Sequence, residues 1–241
     1  MSSIDLPRYS FYFDITSDFA HFRDIFTHLF FKTLLAPPRT TVIGIVSAAM
    51  GGDEKSTIEL SNRSGLYIGV KILLIKGIAK EIIRVKNLKE HTLTETPILR
   101  TLIVSPTYRL YIASNNKELL EDMRSALQNP TYSLYLGISE FLARISNISE
   151  IYDIEANTTT MLSCIVPFNN FNNIEYSTHI IDNNKLVLLP EISKTVYSFE
   201  YTNKGRNPKE YINLIMSYNC ELRFKNPIQS YKIGEENICL I

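Results

Sequence analysis

Alternating apolar and polar side chains predict the strands of the N-terminal part of the chain. The alternation covers residues 8–16, Leu66–Ile75 and Thr107–Ala113. A period of two places successive side chains on opposite faces, so each segment is expected to form a strand with one buried face. A fourth strand is predicted at Tyr132–Leu136, where it ends at Gly137.

The segment before the second strand predicts a helix with an unusual N-terminus. Two prolines precede a helix predicted from Arg39 to Met50, and Gly51-Gly52 ends it. Gly44 and Ala48 are small, which predicts a close approach of this helix to the sheet. Because the first N–H groups of a helix lack internal partners and the macrodipole adds positive charge, the helix start is a candidate anion site.

A second helix is predicted directly after the third strand. Asn115 is its expected cap, and Glu118 follows three residues later, which is the spacing of a capping box. Asn129-Pro130 is expected to stop this helix.

These elements follow the order β-α-β-β-α-β, which predicts an α+β chain with a ferredoxin-like domain over residues 1–145. Residues 17–36 show no clear period and are expected to form a long ordered loop. An insertion of short β-prone pieces, broken by Asn87 and Pro97, is expected over residues 76–100. The remainder, residues 146–241, is predicted to be a smaller β-rich region of short strands, at 163–167, 185–189, 195–201 and 231–233.

Composition narrows the class of protein. The 241 residues are 45% hydrophobic, and 25 basic residues balance 25 acidic ones, so overall charge gives no argument for nucleic-acid binding. Three cysteines without metal-site spacing indicate a reducing compartment. The N-terminus has no signal-like segment and no stretch could cross a bilayer, so a cytoplasmic protein without a membrane partner is expected.

Charge is unevenly distributed along the chain. Lys71–Arg100 contains seven basic and three acidic residues, whereas Asn115–Glu155 contains three basic and seven acidic ones. A basic insertion could follow a phosphate backbone, because each cation there replaces a counterion. Lysines on an exposed edge strand that prevent aggregation are the alternative interpretation.

Two arginines are candidate ligands of an anion. Arg23 lies among aromatic residues, and guanidinium groups and rings are surfaces on which unstacked RNA bases rest. A packed loop is the alternative for those aromatic residues. Arg39 stands in the first helical turn, where the dipole opposes a cation, so either an anionic partner or a salt bridge to Asp14 or Asp53 is expected.

Signatures of an enzyme are weak. The four histidines are scattered, and the sequence has no metal-binding motif, P-loop, nucleophile elbow or Rossmann fingerprint, so neither a metal nor a cofactor is predicted. A metal-independent ribonuclease would need only a general base near the 2′-hydroxyl. His21 with Tyr12, or His91 with Lys89, could form such a pair.

Four segments together resemble the CRISPR-associated family five, whose members are RAMP-superfamily subunits of the type I Cascade complex. The segments are Ala20-His21-Phe22-Arg23, Ala36-Pro37-Pro38-Arg39-Thr40-Thr41 with Gly44, Ser105-Pro106-Thr107-Tyr108-Arg109-Leu110-Tyr111, and Pro130–Gly137 (PTYSLYLG). They cover about the first 140 residues, and the C-terminal hundred residues carry no matching motif.

The resemblance implies a ferredoxin-like (RRM/RAMP) domain whose insertion at about 76–100 is a β-hairpin thumb. It also implies a non-catalytic subunit for antiviral defence that binds the 5′ handle of CRISPR RNA, caps the backbone subunits near the PAM of the target DNA and docks the large subunit. The RNA-binding residues it implies, together with the charge pattern, are His21, Phe22, Arg23, Arg39, Thr40, Thr41, Lys71, Lys76, Lys80, Arg84, Lys86, Lys89, Arg100 and Arg109.

One branch of the family, in subtype I-C, is itself the endoribonuclease that processes the precursor RNA. It uses a tyrosine with an adjacent lysine–histidine pair, whereas the nearest match here is Lys89-Glu90-His91. This departure argues against cleavage and favours subtype I-B or a close relative. The ribonuclease remains the alternative function.

Overall fold

A computed structural model describes residues 6–27, 29–63, 65–89, 92–168, 175–203 and 205–241. Within these residues the helices are α1 (Arg39–Ala49), α2 (Glu54–Ser61) and α3 (Lys117–Gln128). The strands are β1 (Tyr9–Ser17), β2 (Phe19–Ala20), β3 (Phe22–Arg23), β4 (Thr33–Leu34), β5 (Leu66–Leu74), β6 (Gly77–Lys89), β7 (Thr92–Val104), β8 (Thr107–Ser114), β9 (Ala143–Ser146), β10 (Tyr152–Asp153), β11 (Ala156–Leu162), β12 (Val166–Pro167), β13 (Tyr176–Ile180), β14 (Leu188–Thr202), β15 (Gly205–Tyr218), β16 (Cys220–Ile233) and β17 (Glu236–Ile238).

The central sheet has the strand order β10-β1-β8-β5, and β9 pairs with the C-terminal half of β1. Every pairing in it is antiparallel. The strands predicted at 8–16, 66–75 and 107–113 are therefore confirmed, as is the first helix. Their alternation reflects burial: Phe11, Phe13 and Ile15 are fully buried in the core that includes α1 and α3. Burying each such side chain contributes about 1.5–3 kcal/mol.

The fourth predicted strand is wrong in position. Residues 132–136 form only an isolated bridge, between Tyr135 and Leu142, and the strand that pairs with β1 is β9. Leu134 and Leu136 are buried in the main core, while Tyr132 and Tyr135 are exposed. In this segment, the alternation of apolar and polar side chains arises because every second residue packs into the core, and the segment does not pair within the sheet.

Three local features differ from the sequence predictions: the cap of α3, the presence of α2 and the structure of residues 17–36. The cap of α3 is Asn116, whose side chain accepts a 2.9 Å hydrogen bond from the Leu119 N–H, and not Asn115. The sequence prediction missed α2, which begins after Asp53; the Asp53 carboxylate accepts a 2.8 Å hydrogen bond from the Ser56 N–H. The predicted loop at 17–36 contains the short strands β2, β3 and β4.

Strands β6 and β7 form one long hairpin between β5 and β8. Their register is continuous from Gly77–Val104 to Lys89–Thr92, so the predicted short pieces are one paired ribbon. Pro97 fits within β7 because a two-stranded ribbon leaves one side of each strand unpaired. The base of the hairpin is held by β2, which pairs with the end of β7, and by a bridge from Phe31 to Arg100.

Two C-terminal strands, β14 and β16, are longer than the predicted segments 195–201 and 231–233, whereas residues 163–167 contain only the two-residue β12 and β15 was not predicted. β14 and β15 pair over most of their length with β-bulges, and β16 pairs with β11, β13 and β17. Runs of exposed polar residues, such as Lys209 and Glu210 in β15, interrupt their buried positions, so a hydrophobic pattern does not indicate their length. Ile165 and Ile241 donate backbone hydrogen bonds to Val70 and Ile68 of β5, so the segments before β12 and after β17 lie against the β5 edge of the central sheet.

The predicted domain boundary between residues 145 and 146 remains a prediction. Ile165, Leu214, Met216 and Ile241 belong to the same core as α1 and β1. The C-terminal region is thus continuous with the N-terminal core in its packing.

Candidate nucleic-acid interface

A cleft of about 320 Å³ opens beside the N-terminal half of α1. We call it the α1 cleft. Its walls come from four parts of the chain: the start of α1, the segment around Arg23, residues 133–137, and the β14–β15 hairpin. Three cations line it, Arg23, Lys194 and Arg206, and no aspartate or glutamate is among the described residues that line it. The arrangement can therefore hold an anion.

The helix start at this cleft is electrostatically positive. Pro38 occupies the N-cap position without a side-chain hydrogen bond, and the first turn contains no acidic residue. The Thr41 and Val42 N–H groups both bond to the Pro38 carbonyl oxygen, whereas no partner occurs in the described part of the chain for the N–H of Thr40. An uncompensated helix start attracts negative charge.

Thr40, Thr41 and Gly44 of α1 all line the cleft. Thr40 and Thr41 are half-buried and lie in its wall, as the sequence predicted for the helix start. Gly44 lines it too, and a Cβ built on Gly44 would meet no heavy atom within 4 Å. The predicted close approach of Gly44 to the sheet is therefore wrong, because this small residue faces open space.

Arg23 is exposed and lies at the junction of two cavities. Its guanidinium stands 4.0 Å from the centroid of the Phe31 ring, a cation–π contact. Pairing of β3 with β4 holds it there, with Arg23 opposite Thr33. A second cavity of about 240 Å³ shares Arg23 and Thr41 with the α1 cleft and extends to Ile83 of the β6–β7 hairpin. A groove thus leads from the cleft to the hairpin.

His21 and Phe22 border the smaller cavity, but both side chains are almost fully buried. His21 is only 4% exposed, and its Nδ1 donates a 2.9 Å hydrogen bond to the Thr101 carbonyl oxygen. Burial lowers the pKa of this imidazole. Phe22 is buried edge-on against Tyr108, with ring centroids 5.8 Å apart. Both residues position Arg23, since they anchor β3 to the hairpin base and to the core.

Arg39, predicted to bind the anion, does not line the cleft: its side chain is buried and only 2% exposed. Its guanidinium donates hydrogen bonds to the carbonyl oxygens of Ser61, Leu66 and Tyr197, at 2.9, 3.1 and 3.1 Å. Burial lowers its pKa. Neither predicted salt bridge forms: Asp14 pairs with Arg109 and Asp53 caps α2. Arg39 joins α1 to α2 and β14, and it is not free to hold an external anion.

Lys71 and Arg109 lie on the face of the central sheet away from α1. Arg109 binds both carboxylate oxygens of Asp14, at 2.7 and 2.9 Å, and this bond raises the pKa of Arg109. Lys71 lies 2.9 Å and Arg109 3.5 Å from carboxylate oxygens of Glu236. Their charges are neutralised by acidic neighbours, so the structure does not place them with the cleft.

The cations of the hairpin have different surroundings. Lys76, Lys80, Arg84 and Lys86 are exposed and share one face, because they are separated by even numbers of residues. Ile83, which lines the groove, lies on the other face. Arg84 and Lys86 both lie near Glu95, at 3.8 and 3.4 Å. The side chain of Lys89 lies outside the described part of the chain.

Arg100 borders the groove but is neutralised. Its side chain is 13% exposed and contacts Glu81 at 2.5 Å and Glu140 at 3.2 Å. It is thus a structural cation at the hairpin base and not a free one.

Reasoning from the sequence missed Lys194 and Arg206 as residues of the cleft. Lys194 lies on β14 with its Nζ 4.8 Å from the Tyr211 ring centroid, and Arg206 lies on β15, 4.6 Å from the Phe199 ring centroid. Pairing of β14 with β15 and packing of β14 on α1 bring both to the cleft. No local motif signals such a placement, since it depends on contacts with residues more than 140 positions away.

The residues considered for a ribonuclease are not brought together. Tyr12 packs against Tyr111 and Tyr152 on the Arg109 face of the sheet, whereas His21 bonds to the hairpin base. His28 and His91 lie outside the described residues. Within those residues, no group of three or more histidine, cysteine, aspartate or glutamate side chains could hold a metal ion. Nor does the described part contain a helix with the length and apolar character needed to span a bilayer.

Two of three similar solved structures have TM-scores above 0.5 and share the fold of this chain. A CRISPR protein from Archaeoglobus fulgidus, seen in a crystal structure, is 14% identical with a TM-score of 0.59, over 95% of this chain and 98% of that chain. A chain of a CRISPR RNA-guided surveillance complex is 12% identical with a TM-score of 0.52, over 90% of this chain and 91% of that chain. A crystal structure of a Cas protein is 22% identical with a TM-score of 0.38, and the alignment covers 54% of this chain and 57% of that chain.

Comparison of sequences identifies the family. No curated protein matches the chain. Residues 12–159, more than half of the chain, match the model of the family described as CRISPR-associated protein (Cas_Cas5). The resemblance to CRISPR-associated family five is thus confirmed, and this chain belongs to the CRISPR-associated Cas5 family.

Proposed function

We propose that this chain is a non-catalytic RNA-binding subunit of a type I CRISPR surveillance complex, and that the α1 cleft holds the 5′ handle of the guide RNA. The observation that carries the proposal is the charge of the cleft. It lies at an uncapped helix start and is lined by cations without a carboxylate among the described lining residues. Backbone N–H groups at such a helix start, together with arginine and lysine, bind phosphate groups.

The fold supports this role by the position of its elements. In the proposal, the order β10-β1-β8-β5 with α1 and α3 packed in the same core is interpreted as a ferredoxin-like domain. In the proposed function the β6–β7 hairpin is the thumb, and the groove from the cleft to Ile83 leads the guide RNA towards it. The exposed cations of the hairpin lie on the face opposite Ile83, so in the proposed function they contact phosphates of RNA that passes the other side of the hairpin.

The proposed partners follow from family membership. One solved structure of similar fold is a chain of a CRISPR RNA-guided surveillance complex. In such a complex this chain would cap the backbone subunits and dock the large subunit, close to the PAM of the target DNA. Catalysis is not part of the proposal, because His21 is buried and lies apart from Tyr12.

The test measures RNA binding by the full chain and by its assembled complex. The chain is expressed with the other subunits encoded beside it, and the guide RNA retained after purification is quantified. Arg23→Ala is expected to lower the affinity for a fluorescent repeat-derived RNA about tenfold, since a charge-assisted hydrogen bond contributes about 1.5–3 kcal/mol.

The matched control is Lys232→Ala, which removes an exposed cation that does not line the cleft. Equal RNA retention by wild type, Arg23→Ala and control would contradict the handle-binding role. Cleavage of labelled repeat RNA by the purified chain without divalent metal would instead establish the ribonuclease alternative.

A further inference from the structure

The wall of the α1 cleft formed by β14 and β15 has no assigned role. We propose that the C-terminal hairpin is part of the RNA site, with Lys194 and Arg206 binding phosphate groups of the same single-stranded RNA that Arg23 contacts. This inference rests on the proposed function and extends it to residues in the part of the chain that matches no family motif.

The first support is that the three cations of the cleft are not neutralised. In the described part of the chain, Arg23, Lys194 and Arg206 form no ion pair, whereas Arg100 and Arg109 each contact two carboxylates. A cation without a carboxylate partner keeps its full attraction for an incoming phosphate.

The second support is how the cations are held. Each lies over an aromatic ring: Arg23 over Phe31, and Lys194 and Arg206 over Tyr211 and Phe199, with distances of 4.0 to 4.8 Å. A ring orients a cation without cancelling its charge, which leaves the hydrogen-bond donors available. This is the arrangement expected of side chains prepared for an anionic ligand.

The third support is the fixed position of β14 relative to α1. Arg39 donates a hydrogen bond to the Tyr197 carbonyl oxygen, and the Asn62 side-chain amide donates one of 2.9 Å to that of Phe199. Both bonds fall within the stretch of β14 that carries Lys194 and Phe199. The cationic wall is therefore preorganised beside the helix start, which reduces the entropy lost on binding.

The lining of the cleft favours a single strand over an acidic protein. Apolar and aromatic groups, including Ile25, Tyr135 and Phe199, line the cleft together with the cations. Unstacked bases pack against such groups while the phosphates between them contact arginine and lysine. A carboxylate-rich peptide would match the charges and leave the apolar groups without a partner.

The experiment uses the full chain and a fluorescein-labelled single-stranded RNA with the sequence of the repeat-derived 5′ segment. Affinity is measured between about 50 and 200 mM salt for wild type and for the double variant Lys194→Ala/Arg206→Ala. We expect at least a tenfold loss of affinity and a salt slope smaller by about 1.4, because each phosphate contact on a single strand contributes about 0.7. The charge-preserving variant Lys194→Arg/Arg206→Lys is expected to bind within about threefold of wild type, because both charges remain and the phosphate contribution depends on charge.

The matched control is Lys55→Ala/Lys232→Ala, which removes two exposed cations outside the cleft and should leave affinity unchanged. Weaker binding by Arg23→Ala together with wild-type affinity and salt slope in Lys194→Ala/Arg206→Ala would overturn this inference and leave the proposed function standing. Absence of RNA binding by wild type, both alone and in its complex, would overturn both. Competition by polyglutamate as strong as that by unlabelled RNA would also overturn the inference, since the site would then select for charge alone.

Discussion

The guanidinium of Arg39 lies 4.5 Å from the centroid of the Tyr197 ring and donates a 3.1 Å hydrogen bond to the Tyr197 carbonyl oxygen. This pair connects the first residue of α1 to β14 across 158 positions of sequence. Because α1 and β14 form two walls of the α1 cleft, the contact sets the distance between them. A residue that the sequence suggested as a ligand is thus part of the frame that supports the site.

Arg39→Lys is expected to destabilise the fold by about 2–4 kcal/mol. Lysine keeps the charge but cannot reach three carbonyl oxygens as the guanidinium fork does, and each buried acceptor left unpaired costs about 1–3 kcal/mol. Urea unfolding followed by circular dichroism measures the change. Lys55→Arg, on the exposed surface of α2, is the control and should unfold as wild type does. A change below about 0.5 kcal/mol for Arg39→Lys would show that the buried hydrogen bonds are dispensable.

Two substitutions at Gly44 separate stability from ligand binding. Gly44→Ala should stabilise the chain by about 0.8–1 kcal/mol, because the site is helical and a Cβ there meets no atom within 4 Å. Gly44→Leu should be no less stable than wild type, but its side chain would fill part of the cleft and weaken RNA binding. Thermal unfolding and RNA titration of the two variants measure the two effects. RNA affinity equal in Gly44→Leu and Gly44→Ala would place the ligand elsewhere.

A negative charge at the start of α1 should act in opposite directions on stability and binding. Thr40→Glu is expected to stabilise the helix by about 0.3–1 kcal/mol, because the carboxylate interacts favourably with the macrodipole. The same carboxylate would repel phosphate in the cleft and lower RNA affinity about tenfold. Thr40→Gln has the same shape without the charge and is the matched control. The prediction fails if glutamate and glutamine bind RNA equally.

The buried imidazole of His21 predicts a dependence of stability on pH. Burial lowers its pKa in the folded chain below the ordinary value of about 6.5, so the unfolded chain binds the proton more readily. The free energy of unfolding should therefore fall as the pH decreases below about 6.5 towards the folded-state pKa. In His21→Asn, whose amide can replace the bond to Thr101, this part of the pH dependence should disappear. Unfolding curves from pH 5 to pH 8 measure it, and identical slopes in both proteins would contradict it.

Local pattern determined much of the frame. The alternation around Phe11 and Tyr108 predicted strands of the central sheet, and the prolines before Arg39 predicted the helix whose start borders the cleft. Both depend on interactions within a few residues, which sequence displays directly. The sequence also predicts Arg23 as a ligand of an anion, and the aromatic neighbours on which that prediction depends include Phe31, the ring over which its guanidinium lies.

Only the tertiary structure decided which cations remain available. Arg39 is buried beneath β14, and Arg109 binds Asp14. Lys194 and Arg206 reach the cleft because β14 pairs with β15, and the sequence pattern did not predict the full length of these strands. The physical reason is that the charge a side chain presents depends on neighbours far away in sequence. Sequence alone thus located the positive helix start, while long-range contacts determined which side chains surround it.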